Sequence, residues 1–206
     1  MVITRPLLPF TPVEVARAKA VLDLQRHLAG APAAADEPKP SDGMDVVIRP
    51  AVFADAAAIE DMHERCSSES RVRRYGSDQP PAVERLLRHK ATRTFLAETQ
   101  DGGVVAVATV RISGRCAEAG ILVEDQWQGR RIGTALLDRL ITLARTEDSA
   151  AIVAIAQETN TAMIRAMRRS GAQADHVGPD LAYLTLHLDP RSGAPGPRSD
   201  GVCHQR

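Results

Sequence analysis

The spacing of apolar residues changes repeatedly along this chain, and the changes mark out its elements. Between residues 12 and 28, Val13, Ala16, Ala20, Leu24 and Leu28 fall on one face, opposite Glu14, Arg17, Asp23 and Arg26. That is the pattern of an amphipathic helix. The stretch 30–43, rich in Ala, Pro and Gly, reads as a linker. The folded unit is expected to begin near Asp45, with a strand at 46–49 and a helix over 52–65 carrying Ala56, Ile59, Met62 and His63. Ser67 or Ser68 can cap a further short helix. Pro80 and Pro81 open another, with Val83, Leu86 and Leu87 on its face.

Residues 95–98 and 104–112 form a predicted hairpin turned by Asp101-Gly102-Gly103. A strand at 116–123 then leads into a polar loop and a long helix. In that helix Ile132, Leu136, Leu140 and Leu143 recur at helical spacing, with Leu137, Ile141 and Ala144 beside them. A buried strand at 151–156, a helix at 160–170 stopped by Gly171 and a strand at 183–188 complete the pattern. The tail beyond Asp189 is rich in Pro, Gly, Ser and Arg and is expected to be disordered. The chain thus divides into an extension (1–44), one α/β domain (45–188) and a tail (189–206).

Composition narrows the function classes. Lys plus Arg and Asp plus Glu number 26 each in 206 residues, and there is no basic patch interleaved with aromatics. No nucleic-acid partner is expected. The three cysteines, Cys66, Cys116 and Cys203, match no zinc spacing and form no disulfide framework, which points to a reducing compartment. The six histidines have no ligand spacing, so no metal is assigned. Without a signal-peptide core or a run long enough to span a bilayer, the chain is expected to be soluble and cytoplasmic, with no membrane partner.

The candidate chemistry centres on residues 121–137. A strand that feeds a helix through a Gly-containing loop directs free backbone N–H groups outward at the helix start, where the positive end of the helix dipole attracts anions. Arg130 and Arg131 occupy this turn, the wrong sign for the dipole. An anion such as pyrophosphate between them would turn that cost into recognition. The plainer alternative is an ordinary connection with solvated arginines. Upstream, Glu118 is the lone charge in an otherwise nonpolar strand, on the face shared by Gly120 and Leu122. A partly desolvated carboxylate there suits a general base.

The run Gln128-Gly129-Arg130-Arg131-Ile132-Gly133-Thr134 resembles the acyl-CoA loop of the GNAT superfamily of N-acetyltransferases, commonly Gln/Arg-x-x-Gly-x-Gly/Ala. Arg131 stands where the first of two glycines is usual. Its N–H survives the change, but the close ligand approach that Gly permits does not come free. The resemblance covers residues 45–188. It implies a mixed, mostly antiparallel central sheet flanked by helices and splayed at the acyl-CoA site. Acetyl-CoA would be the acyl donor, held by Gln128 through Thr134, by the strand-end backbone of Leu122 and Val123, and by Asn160.

Asn160 is also an ordinary N-cap, and its distance to Gly171 fits the family. Glu118 matches the usual base, and amides near Val123 would stabilise the oxyanion. Seven residues after Asn160 the family often has a Tyr that protonates the thiolate. Here Met167 cannot donate a proton, which leaves solvent or a group such as Tyr183. Ser67, Glu69, Ser70, Arg74 and Tyr75 resemble a segment of bacterial protein-lysine acetyltransferases, with Ser68 replacing a Pro. The expected activity is therefore acetyl transfer from acetyl-CoA to a primary amine, a protein lysine first. A small-molecule amine and a non-catalytic acyl-CoA-binding module are the alternatives.

Overall fold

The computed structural model describes residues 46–176 and 180–188. The predicted helix at 12–28, the linker and the tail from 189 lie outside the described residues. Seven strands form one sheet: β1 (Val46–Pro50), β2 (Thr92–Thr99), β3 (Val104–Ser113), β4 (Cys116–Val123), β5 (Ala151–Gln157), β6 (Gln173–His176) and β7 (Leu181–His187). Their order is β1-β2-β3-β4-β5-β7-β6, and every neighbouring pair is antiparallel except β4 and β5. The helices are α1 (Ala56–Arg65), α2 (Ser68–Tyr75), α3 (Val83–Arg88), α4 (Ile132–Thr146) and α5 (Thr161–Arg169).

The sheet is covered on both faces, which explains why β3 is buried continuously from Val104 to Val110. On one side α4 packs Leu136, Leu137 and Leu140, all fully buried, against Ala106, Ala108 and Ile152. Each such leucine contributes about 1.5–3 kcal/mol. On the other side Ile59 and Met62 of α1 and Val83 of α3 meet Leu96, Val107 and Leu122. The hairpin turn closes as its sequence predicts: Thr99 N–H reaches Gly103 C=O at 2.9 Å, and Gly102 takes φ +86°.

Two boundaries differ from expectation for local reasons. Residues 53–55 form a 3-10 turn instead of the first turn of α1. There the Asp55 carboxylate accepts the Val52 N–H at 2.7 Å and is gripped by Arg49 at 2.8 Å. Strand β6 is a short edge strand with no periodic apolar signal, and it is absent from the sequence-based expectation.

The feature that positions the site is a split in the sheet. Parallel strands β4 and β5 pair only through Cys116–Ala151, Ala117–Ile152 and Glu118–Val153. Beyond Glu118 the two strands part.

Candidate active site

The gap between β4 and β5 opens into a cleft of about 450 Å³. Its walls come from the end of β4, the following loop, the start of α4, and residues of α2 and α5. The peptide groups along β4 alternate. Glu124 N–H bonds Val105 C=O of β3 at 2.9 Å, so those of Val123 and Ile121 point toward the gap. The backbone of Val123 thus faces the gap. Leu122 corrects the expectation: its own peptide groups face β3, and its side chain is packed with Ile59 and Met62, although it lines the cleft.

The loop after β4 is a 3-10 turn (Asp125–Trp127) followed by two residues in the left-handed region, Gly129 at φ +76° and Arg131 at φ +65°. Arg131 is the N-cap of α4. A side-chain-bearing residue in this conformation costs about 1–2 kcal/mol, so the position favours glycine. Gln128, Gly129, Arg131, Ile132, Gly133 and Thr134 all line the cleft, and the first-turn amides of α4 have no intrahelical partners.

Arg130 departs from the expected pair. Its guanidinium carbon lies 4.6 Å from the centre of the Trp127 ring, and it does not line the cleft. Stacking on an aromatic face holds it there. Asn160 lines the cleft, and its side-chain oxygen caps α5 by accepting the Met163 N–H at 3.1 Å. Met167 is fully buried in the core and does not line the cleft. The Tyr183 ring is packed with Cys116, Ala151 and Val153 and does not line the cleft either.

Glu118 sits on the last paired rung, at the apex of the split, with a side chain 16% exposed. It does not line the main cleft, and Arg111 of β3 donates to it at 2.6 Å. On the same face, two residues along, Gly120 makes room for Arg74 of α2: a Cβ at Gly120 would collide with that guanidinium. Arg74 donates to Thr109 Oγ1 at 2.7 Å and lies over the Tyr75 ring.

A network that sequence reasoning missed ties α2 to the loop. Asp125 accepts the Ser67 N–H at 2.8 Å, the Ser67 hydroxyl at 2.7 Å and the Ser70 hydroxyl at 2.8 Å. Burial alone would raise its pKa, but these hydrogen bonds outweigh it and hold the carboxyl below its ordinary value. Gln128 then donates its amide to Ser70 Oγ at 3.2 Å and to Val123 C=O at 3.1 Å. Ser67 and Ser70 of the segment 67–75 thus organise the loop.

Residues 57–172 match the sequence profile of the acetyltransferase (GNAT) family, more than half of the chain. The chain belongs to that family. Among curated proteins, the L-methionine sulfoximine/L-methionine sulfone acetyltransferases of Pseudomonas paraeruginosa and Pseudomonas aeruginosa are each 34% identical over 88 residues. That match takes in 38% of this chain and spans about half (51%) the length of those relatives.

Among solved structures, the GNAT domain of S. lividans PAT aligns with a TM-score of 0.63 at 23% identity, covering 69% of this chain and 90% of that one. The putative acetyltransferase yncA from Salmonella typhimurium, solved with its cofactor acetyl-CoA, aligns at 0.60 and 24% identity, covering 74% and 99%. These confirm the predicted fold: a mostly antiparallel sheet flanked by helices. Among the described residues no helix is long and apolar enough to cross a membrane.

Proposed function

We propose that this GNAT domain transfers an acetyl group from acetyl-CoA to a primary amine by direct attack in a ternary complex. One observation carries the reading. The parting of β4 and β5 opens into the same cleft as the start of α4, so strand-edge peptide groups and an anion-binding helix terminus share one groove. A pantetheine arm can add to a strand edge as an extra strand does, and a pyrophosphate suits the helix terminus. The cleft residues fit that substrate: Arg131 and the amides of 129–134 for the phosphates, Val123 for the arm, Asn160 beside it.

Glu118, at the apex of the split, accepts the proton of the attacking amine directly or through water. Peptide N–H groups at Ile121 and Val123 stabilise the oxyanion that forms as the amine nitrogen bonds to the thioester carbon. As the C–S bond breaks, the departing thiolate takes its proton from solvent, since Met167 has none to give.

The acceptor is a small amine that also bears a carboxylate. Glu118 and the Arg74 guanidinium over Gly120 sit two residues apart on one strand face, roughly 7 Å along β4. A zwitterion would set its amine toward Glu118 and its carboxylate toward Arg74. The named activity of the curated relatives supports this reading. A protein lysine is the second reading, favoured because Ser70, Arg73 and Arg74, from the segment that carries that resemblance, line the cleft.

The test is Glu118→Gln in the full chain, assayed against a panel of amino acids and lysine peptides. Turnover should fall about 10²–10⁴-fold with acetyl-CoA affinity retained. Normal turnover would remove Glu118 as the base, and no thermal stabilisation of the wild type by millimolar acetyl-CoA would remove the acetyltransferase reading itself.

A further inference from the structure

Of the described residues that line the cleft, five are arginines and none is acidic: Arg73, Arg74, Arg131, Arg165 and Arg169. The first two are engaged, Arg73 with Glu69 and Arg74 with Thr109. The other three are exposed, and none of them makes a side-chain hydrogen bond or ion pair among the described residues. Some arginines elsewhere in the domain do hold a carboxylate, as Arg49, Arg65, Arg71 and Arg111 do.

The placement of the three works against the bare protein. Arg165 and Arg169 are one helical turn apart, a spacing at which like charges repel. The dipole of α5 favours a cation in its last turn, which accounts for Arg169 but gives little to Arg165. Arg131 stands at the start of α4, where the dipole disfavours it, in a backbone conformation that disfavours any side chain. An anion that all three reach offsets the two charge costs together, the repulsion on α5 and the wrong sign at the start of α4.

Asn160 marks the start of α5, and Arg165 and Arg169 follow five and nine residues later. At ~1.5 Å per residue they are about 7 and 13 Å further along the helix. The amides at the start of α4 already supply donors for a pyrophosphate.

We propose that Arg131, Arg165 and Arg169 form a distinct phosphate subsite for the terminal 3′-phosphomonoester of the acyl donor, making the domain selective for coenzyme A thioesters over their 3′-dephospho forms. This rests on the acetyl-CoA reading above. A phosphomonoester carries nearly two negative charges at neutral pH, against one for each phosphorus of a pyrophosphate diester, so it gains most from a cleft lined by three such guanidiniums.

The test is calorimetric titration of the full chain with acetyl-CoA and with 3′-dephospho-acetyl-CoA, for wild type and for Arg165→Gln/Arg169→Gln. Both substituted side chains are exposed, so the variant keeps its fold, which its melting temperature checks. Wild type should prefer acetyl-CoA by about tenfold or more, with a preference that shrinks as salt rises. The variant should lose that preference by weakening acetyl-CoA binding alone. Tight but equal binding of both donors by wild type would overturn the subsite and leave the acetyltransferase reading standing. A variant that weakens both donors equally would place the arginines on the pyrophosphate and also overturn it. Failure of wild type to bind either donor would remove the acetyltransferase reading instead.

Discussion

The Ser70 hydroxyl lies 2.8 Å from the Asp125 carboxylate, joining the first turn of α2 to the loop that opens the cleft. With both bonds from Ser67, one carboxylate fixes a helix terminus and a ligand loop together. Asp125→Ala removes all three. The site is partly exposed, so a loss of about 1–2 kcal/mol is expected in denaturant unfolding. Gln128 leans on the same Ser70, so KM for acetyl-CoA should rise at least severalfold while Asp125→Asn, which keeps two acceptor sites, loses less. Equal KM values in wild type and Asp125→Ala would show that the loop is set without α2.

Arg131 holds a left-handed backbone at φ +65°. Replacing it with Gly removes the Cβ clash at the cost of some unfolded-state entropy, so stability should hold or rise by up to about 1 kcal/mol. Affinity for acetyl-CoA should fall at the same time, because a cation leaves the cleft. Thermal unfolding with and without acetyl-CoA separates the two effects: the apo melting temperature holds or rises while the ligand-induced shift shrinks.

His63 of α1 is 2% exposed, with Nε2 2.7 Å from the Tyr75 hydroxyl. Burial, helped by the charges of Arg74 and Arg71, lowers its pKa from 6.5 to about 4. The folded protein therefore keeps a neutral ring at pH values where the unfolded chain already binds a proton. Above pH 6.5 this has no effect. Between pH 6.5 and 4 it removes about 1.4 kcal/mol of stability per pH unit, on the order of 3 kcal/mol in all. Urea unfolding at pH 7, 6 and 5 should show that slope in the wild type and a shallower one in His63→Gln.

Gly120 gives Arg74 its place over β4. Gly120→Ala should push the guanidinium aside and break its bond to Thr109, at a stability cost within about 1 kcal/mol, because only the end of a flexible side chain must move. On the proposed function, KM for a carboxylate-bearing acceptor should then rise about tenfold with KM for acetyl-CoA unchanged. Steady-state kinetics in both substrates checks this, and a parallel rise in both KM values would mean that Arg74 serves the loop instead.

Much of this was legible in the sequence because local rules and tertiary demands agree. Strand β4 begins and ends where its apolar run does, and Asn160 and Gly171 bracket α5 as cap and stop. The loop of 128–134 carried its own signature, and its residues line the cleft, with Arg130 the exception. That exception is a tertiary choice: two adjacent arginines look equivalent until Trp127 takes one of them. The same limit hid Arg111 behind Glu118, since strand pairing brings them together across seven residues of a hairpin whose register a lone sequence does not print. Asp125 lies more than 50 residues from Ser67 and Ser70, and only the fold brings them to it. Strand β6 had no pattern of its own and pairs because β7 leaves an edge free.

Three rungs hold the two halves of the sheet together where β4 meets β5. A ligand that fills the gap below them is therefore more than a reactant passing through. On the proposed reading, it takes the place of a missing strand and ties the halves by contacts that the polypeptide alone does not make. The durability of the folded chain, its resistance to proteases included, would then follow the supply of its acyl donor: a cell short of that thioester would lose the catalyst as well as the substrate.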